Sequence, residues 1–280
     1  MTDNWPGVSI VRLCKKTGMS RQNYYKGRIA RKRKSVDEDL VVQLVQNERQ
    51  LQPRIGTRKL HHMLNDELQD AGIEVGRDKM FEILRDRDLL VPPLPKSPRT
   101  TDSRHSLPVF RNLIAEMELT APNQVWVNDI TYIRTLEGFE YLSLNMDLHS
   151  HKIVGFHCND DLSAAGCLTA VGKALADLPK GCHPIHHSDR GSQYCSHEYV
   201  DRLTDQGLSL SMTEVDHCAE NSVAERLNGI LKQEYGLGRT FQTRAQARFA
   251  VEQAVWLYNT RRPHMSLQLK TPFEVHSKAA

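Results

Sequence analysis

Asp189 and Glu225, two acidic residues with 35 residues between them, are the strongest candidates for chemistry in this sequence. A short, partly apolar run over residues 184–188 precedes Asp189, and Gly191 follows it, which predicts a strand that ends at Asp189. Glu225 lies in a stretch whose apolar residues recur at helical spacing. We therefore expect a strand end and a helix to present these two carboxylates as ligands of a metal ion.

A third carboxylate, Asp129, precedes both. Residues 125–133 are rich in β-branched and aromatic types, which predicts a strand. Because side chains alternate across a strand, Asp129 shares a face with Val125 and Val127. An ionised Asp on an apolar face is costly unless it is paired, and a cation would offset that cost.

The helix that carries Glu225 has a polar stripe opposite its apolar residues. At about 100° per residue, Asn221, Glu225, Asn228 and Lys232 fall on that stripe. The two amides and the ammonium either contact DNA phosphates or form an ordinary exposed polar face.

Other residues compete for a place in the site. Asp147 suits a turn or a sheet end better than a metal contact. Glu220 is a rival third ligand, although an acid at the start of a helix is also favoured by the helix dipole. His187 shares a strand face with Asp189, so it could orient a water molecule or be a hydrogen-bonded core histidine.

The elements around these residues follow the order βββαβαβα. Glu137-Gly138 marks a hairpin turn, so the first three strands are expected to form an antiparallel meander. A helix is expected over 162–178, the Asp189 strand follows, and a second helix is expected over 196–206. A short strand over 208–212 then leads to the Glu225 helix, and a last helix is predicted from residue 244.

The N-terminal residues 1–34 predict a DNA-binding module. Residues 8–27 fit a helix, a turn at Gly18 and a second helix with Ser20 as its N-cap. This is either a helix-turn-helix or a small helical hairpin that packs on another element. The candidate DNA contacts are the outward residues Arg21, Gln22 and Tyr25 and the basic run Arg31, Lys32, Arg33 and Lys34, which could instead be a solvated linker.

A second helical domain is expected over residues 35–90, with helices near 37–50, 56–71 and 77–88 around one apolar interior. Arg58 and Lys59 at the start of the middle helix would direct positive charge towards a phosphate, or would only cap and solubilise that helix. Residues 91–121 are rich in proline and predict a linker, with a short helix over 111–118 leading into a final domain over 122–280.

Charge and cysteine usage point to a class of protein. The net charge of +3 combines a basic N-terminal region, residues 1–100, with an acidic remainder, which favours a nucleic-acid-binding front end. The six cysteines have no paired spacing, and no long apolar span occurs, so we expect a reduced cytoplasmic protein rather than a membrane protein.

Four ordered motifs resemble the insertion-sequence transposases of the IS-three family, and more narrowly the product of their second reading frame, OrfB. The resemblance runs from about residue 124 to 272. The motifs are Trp126-x-x-Asp129-Ile-Thr-Tyr132, His187-Ser-Asp189-Arg-Gly-Ser-Gln-Tyr194, Glu220-Asn221-x-x-x-Glu225 and Tyr258-Asn259-Thr-Arg261-Arg262-Pro263-His264.

The resemblance implies an α/β, ribonuclease-H-like integrase core preceded by all-α helix-turn-helix modules. It also implies a DDE transposase in which Asp129, Asp189 and Glu225 bind two Mg²⁺ or Mn²⁺ ions and perform DNA cleavage and strand transfer. The implied partners are double-stranded DNA at element ends and target, further copies of the chain, and an upstream reading-frame product, at the bacterial nucleoid. The alternatives are a related nuclease that cuts without joining, and a DNA-binding regulator or domesticated relic.

Overall fold

A computed structural model of the chain describes residues 9–92, 107–214 and 222–277. The chain divides into two compact units. The first unit comprises Met1–Gln50 and Gly56–Leu90, and the second comprises Leu51–Ile55 and Val91–Ala280. The five strands of the described residues all lie in the second unit.

The first unit begins with helix α1 (Ile10–Thr17) and helix α2 (Arg21–Leu51). Gly18 ends α1 in the left-handed conformation, with φ of 67°, which a residue with a Cβ adopts at a steric cost. The Ser20 hydroxyl accepts a hydrogen bond from the Asn23 backbone N–H at 3.1 Å. The predicted helix, turn, helix and N-cap are therefore present.

Helix α2 is longer than the sequence pattern predicted. It runs for 31 residues, so the expected boundary between residues 34 and 35 lies inside it. The basic run over 31–34 consists of good helix formers, and no proline occurs between Pro6 and Pro53. The two expected N-terminal domains consequently share one helix, and both fall within the first unit except for Leu51–Ile55.

Helices α3 (Thr57–Asp70) and α4 (Arg77–Asp86) complete the first unit. The apolar periodicity of the sequence is reflected in its buried side chains, which are Val41, Val45, Leu60, Leu64, Leu68, Met80, Ile83 and Leu84. Arg87 on the C-terminal side of α4 donates to Asp39 on α2 at 2.6 Å. Apolar burial and polar links thus connect α2 with the later helices.

The short helix expected over 111–118 is absent, and that prediction is wrong. These residues form turns and irregular backbone. The Asn112 side-chain oxygen accepts from the Ile114 backbone N–H at 3.0 Å, and such local bonds compete with helix formation. Residues 93–106 of the expected linker lie outside the described residues.

The second unit is built on strands β1 (Val125–Thr135), β2 (Gly138–Asp147), β3 (Ile153–Asn159), β4 (Ile185–Ser188) and β5 (Ser209–Met212). Their order in the sheet is β3-β2-β1-β4-β5. The first three strands form the predicted antiparallel meander, and β4 pairs parallel to both β1 and β5. Gly138, with φ of 110°, occupies the expected hairpin turn.

Helices cover both faces of this sheet. One apolar cluster joins Val127 and Ile133 of β1 to helices α8 (Ser222–Glu234) and α9 (Arg244–Thr260). A second cluster joins Ile130 of β1 to helices α5 (Ala164–Ala176), α6 (Ser192–Cys195) and α7 (His197–Asp205). The alternation of residues 127, 130 and 133 between the clusters follows from the two-residue period of a strand.

A 3₁₀ helix (Met265–Leu267) and helix α10 (Pro272–Ser277) end the described chain. The observed order of the strands and main helices is the one predicted, and the sheet places the first and fourth strands side by side. The ribonuclease-H-like fold class of the second unit is therefore confirmed, as is the helical N-terminal region.

Candidate active site

Asp129 lies in the middle of β1, on the face covered by α8. Its Oδ1 accepts a hydrogen bond from the Ile130 backbone N–H at 2.9 Å. Its Oδ2 accepts from Asn228 Nδ2 on α8 at 2.6 Å. Strand and helix together thus hold the carboxylate in a fixed orientation.

Asp189 follows the last residue of β4, as the sequence predicted. Because Asn128 of β1 pairs with Ser188 of β4 in parallel register, Asp129 and Asp189 are the next residues along two adjacent strands. Asp189 Oδ1 accepts from the Gly191 backbone N–H at 3.0 Å. A Cβ at Gly191 would also lie 3.0 Å from that oxygen, so glycine is what leaves room for the carboxylate.

The proximity of the two aspartates changes their acidity. Burial raises the pKa of Asp129 to about 7, with the negative charge of Asp189 as the next cause and that of Glu225 as a smaller one. Burial also raises the pKa of Asp189, and the Glu225 charge adds to it, against the opposing hydrogen bond from Gly191. Without a cation, the protein therefore resists full ionisation of this group of acids.

Glu225 lies in the first turn of α8, and its side chain is exposed. It is near enough to act electrostatically on both aspartates. Across the described parts of the chain, however, no three His, Cys, Asp or Glu side chains are already gathered as ligands of one metal ion. The three carboxylates are therefore within electrostatic reach of one another without being gathered as ligands of one ion.

Two further residues of the predicted polar stripe of α8, Asn228 and Lys232, interact with Asp129. Asn228 is turned towards Asp129 rather than outwards. Lys232 is partly buried, and its Nζ lies 4.5 Å from the centre of the Tyr132 ring. Burial lowers the pKa of Lys232, against the raising effect of Asp129. Asn221 lies outside the described residues.

The other predicted DNA contacts belong to the first unit. Arg58 is exposed in the first turn of α3, whereas Lys59 is partly buried. The remaining candidates are all exposed on α2, and they are Arg21, Gln22, Tyr25, Arg31, Lys32, Arg33 and Lys34. Their exposure makes them available to a ligand.

Two of the residues that compete for a place in the site, Asp147 and His187, are buried and hydrogen-bonded within the fold. Asp147 is fully buried at the end of β2 and accepts from the Ser150 hydroxyl at 2.6 Å and the Asn123 backbone N–H at 2.7 Å. His187 is buried with its Nδ1 2.9 Å from Ser211 Oγ, which favours the core role. Glu220 lies outside the described residues.

Sequence reasoning missed two features of the site. Asn228 was expected on a DNA-facing stripe, and only the packing of α8 against β1 reveals its bond to Asp129. The ring of Tyr132 lies next to the Lys232 ammonium, whereas the sequence predicts nothing for this residue beyond its place in the first motif. Its even spacing from Asn128 placed it on the face opposite Asp129, and no sequence signal linked it to Lys232.

Comparisons with known proteins bear on the family of this chain. Two family models, both described as an integrase core domain, match residues 120–218 and 206–272. The insertion element IS600 uncharacterized 31 kDa protein of Shigella sonnei is 33% identical over 270 residues, which are 95% of this chain and 98% of that protein. The chain belongs to the IS-three family of insertion-sequence transposases. The family resemblance and the predicted transposase function are thereby confirmed.

A second relative of this transposase carries the family's name. Transposase InsF for insertion sequence IS3A of Escherichia coli (strain K12) is 33% identical over 189 residues, covering 67% of this chain and 66% of that protein. Among solved structures, the catalytic core domain of HTLV-2 integrase in complex with magnesium (trimeric form) aligns with a TM-score of 0.45 at 20% identity. That alignment covers 59% of this chain and 99% of the integrase chain.

Within residues 9–92, 107–214 and 222–277, no helix of this transposase is both long enough and apolar enough to cross a membrane.

Proposed function

We propose that this transposase uses Asp129, Asp189 and Glu225 to cut DNA at the ends of its insertion element and to join the freed ends to a target. The observation that carries the proposal is the pair of partly buried aspartates on adjacent strands, with the pKa of Asp129 raised to about 7 by desolvation and by its acidic neighbours. Such a concentration of carboxylates is costly for the fold alone and is typical of a functional site.

The residues present fit a hard divalent cation. All three candidate ligands offer carboxylate oxygens, the donors that Mg²⁺ and Mn²⁺ prefer. Asn228, which bonds Asp129 through its Nδ2, also has a buried Oδ1 that has no hydrogen-bond partner among the residues that the structure describes. When bound, two such ions would supply Lewis-acid stabilisation of the attacking and leaving oxygens of a phosphodiester.

The chain's own groups prepare the site for that role. The N–H groups of Ile130 and Gly191 and the Asn228 amide fix the Asp129 and Asp189 carboxylates before a ligand arrives. In cleavage, a water oxygen attacks phosphorus and the 3′ oxygen leaves, which gives a 3′-hydroxyl and a 5′-phosphate. In strand transfer that 3′-hydroxyl attacks phosphorus of a target phosphodiester, and the target strand's own 3′ oxygen leaves as a new 3′-hydroxyl. The same site therefore serves both steps.

DNA recognition is proposed for the first unit. The exposed cationic residues of α2 and Arg58 at the start of α3 would contact phosphates of double-stranded DNA at the element ends. Joining two ends to one target requires more than one active site, so we propose that the chain acts as a homo-oligomer on paired ends. A product of an upstream reading frame and the bacterial nucleoid are the remaining proposed partner and location.

The test is a pair of assays on the full chain with duplex DNA carrying the element's end sequence. Asp189→Asn should abolish cleavage and strand transfer while DNA binding changes less than about threefold, because the phosphate contacts lie elsewhere. Asp177→Asn, on the exposed C-cap of α5, is the matched control and should keep both activities. Comparable loss of binding and chemistry in Asp189→Asn would refute the assigned role, and cutting without joining by the unaltered chain would indicate a nuclease.

A further inference from the structure

Three aromatic side chains share one face of the sheet next to the candidate active site. Tyr132 of β1 pairs directly with Tyr141 of β2, and Arg134 of β1 pairs with Phe139 of β2. Residues opposite each other in an antiparallel pair lie on the same face. Tyr132, Phe139 and Tyr141, together with Arg134, therefore form one surface, which we call the aromatic platform.

The rings of the platform touch in sequence and remain open to solvent. The Tyr132 and Phe139 ring centres are 5.5 Å apart in an edge-on arrangement, and those of Phe139 and Tyr141 are 6.4 Å apart. Phe139 is 44% exposed, and both tyrosines are half-buried. Helix α5 covers the same face only further along, where Ser143 contacts Cys167.

Positive charge borders the platform. Arg134 is exposed on the same face, and Lys232 Nζ lies 4.5 Å from the centre of the Tyr132 ring. Lys232 reaches this ring from α8, the helix that also carries Glu225 and Asn228. Because Asp129 and Tyr132 point to opposite faces of β1, the Lys232 side chain links the active-site face to the platform.

This combination fits a particular ligand. Exposed aromatic rings stack on nucleobases of any sequence when those bases are unpaired, and neighbouring cations hold the phosphates between them. A fully paired duplex hides its base faces, so the platform is suited to single-stranded nucleotides. β4 pairs with β1 only from Val125 to Asn128, and the next described pairing is the bridge between Thr135 and Phe241. Among the described strands, none therefore pairs with Tyr132 on the side away from β2.

We propose that the aromatic platform stacks unpaired bases at the end of a DNA strand whose scissile phosphate lies at the Asp129 and Asp189 site, with Lys232 and Arg134 contacting its phosphates. The inference rests on the proposed function and adds to it a preference for frayed or tailed ends. Its contribution should be large, since stacking of one base changes affinity by about fivefold to a hundredfold.

The test compares two DNA ligands on the full chain in EDTA, where no cutting occurs. One is a 20-base-pair duplex with a five-nucleotide unpaired tail, and the other is the blunt duplex of the same sequence. The unaltered chain should bind the tailed duplex at least about fivefold more tightly. Phe139→Ala should reduce that ratio at least about threefold, because it removes an exposed ring without opening the core.

Phe249→Ala is the matched control, because Phe249 is 60% exposed on α9, away from the platform. It should leave the ratio unchanged. A second readout uses 2-aminopurine in the tail, whose fluorescence the unaltered chain should quench by stacking and Phe139→Ala should restore. Equal affinity of the unaltered chain for both ligands, or an unchanged ratio in Phe139→Ala, would overturn the inference.

Failure of the platform is distinguishable from failure of the proposed function. Asp189→Asn should lose cleavage yet keep the preference for the tailed duplex. If it keeps cleavage, the assigned site is wrong, whatever the platform binds. If it loses cleavage but the unaltered chain shows no preference for tails, the platform alone is wrong.

Discussion

At the scale of single residues, the candidate site is distinguished by aspartates whose ionisation the fold disfavours. Asp129 accepts two hydrogen bonds that favour its ionised form, from Ile130 and Asn228, yet burial and its acidic neighbours still raise its pKa to about 7. Asp147, a fully buried aspartate at the end of β2, differs. Burial raises its pKa, but interactions with His276, Ser150 and Asn123 outweigh burial, and the net pKa is lowered. The neighbours of each carboxylate, and not its burial alone, thus decide the direction of its pKa shift.

This contrast predicts opposite effects of amide substitution on stability. In the metal-free chain, Asp129 ionises at about pH 7 when folded and near 3.8 when unfolded, so folding loses stability as pH rises between those values. Asp129→Asn removes this loss, and its stability advantage should grow from pH 4 to pH 7 and then level off. Its size should be on the order of 1–4 kcal/mol. Urea unfolding in EDTA across this range measures it.

Asp147→Asn is the control of opposite sign. The lowered pKa of Asp147 stabilises the folded chain above pH 3.8, and that contribution fades as pH falls through the folded pKa. The amide variant should therefore be less stable than the unaltered chain at pH 7. A stability difference for Asp129→Asn that does not vary with pH would contradict the account of its acidity.

At the scale of elements, the site depends on close packing of helices on the sheet. Gly155 in β3 has no room for a side chain, because a Cβ there would clash with the Ala170 carbonyl oxygen and lie 2.8 Å from Ala174 Cβ. Gly172, on the same helix α5, has open space around it. Gly155 therefore permits the close approach of α5 to β3, whereas Gly172 lies on the exposed side of α5 and takes no part in that contact.

Gly155→Ala should destabilise the chain by about 1–3 kcal/mol, since α5 would have to move away from β3. Gly172→Ala should instead stabilise it by about 0.5–1 kcal/mol, because alanine is the better helix former at an exposed helical position. Thermal or urea unfolding of the two variants measures both effects. If the two alanines change stability in the same direction, the close approach of α5 to β3 is wrong.

Patterns along single elements made much of this fold predictable. The alternation in residues 125–133 and the 3.6-residue spacing around Glu225 predicted β1 and α8. The turn at Glu137-Gly138 predicted the meander. Relations between elements were less accessible, because the Asn228 bond to Asp129 depends on how α8 packs against β1. The absent helix over 111–118 shows that a local Asn112 bond can override helical periodicity.

At the scale of the whole molecule, the two units divide the proposed work. The first unit presents exposed cationic residues on α2 and α3, and the second carries the partly buried Asp129 and Asp189 and the aromatic platform. The expected separation of residues 1–34 from 35–90 is not a division into compact bodies, since α2 passes through it. A long helix without a proline contains no local sequence signal that would place a domain boundary.

The central claim is that Asp129, Asp189 and Glu225 together hold divalent cations, and direct titration of Mn²⁺ into the full chain at pH 7.5 tests it most directly. The unaltered chain should bind Mn²⁺, Asp189→Asn should bind it at least about tenfold more weakly, and Asp177→Asn should match the unaltered chain. Mn²⁺ affinity of Asp189→Asn equal to that of the unaltered chain would contradict the account.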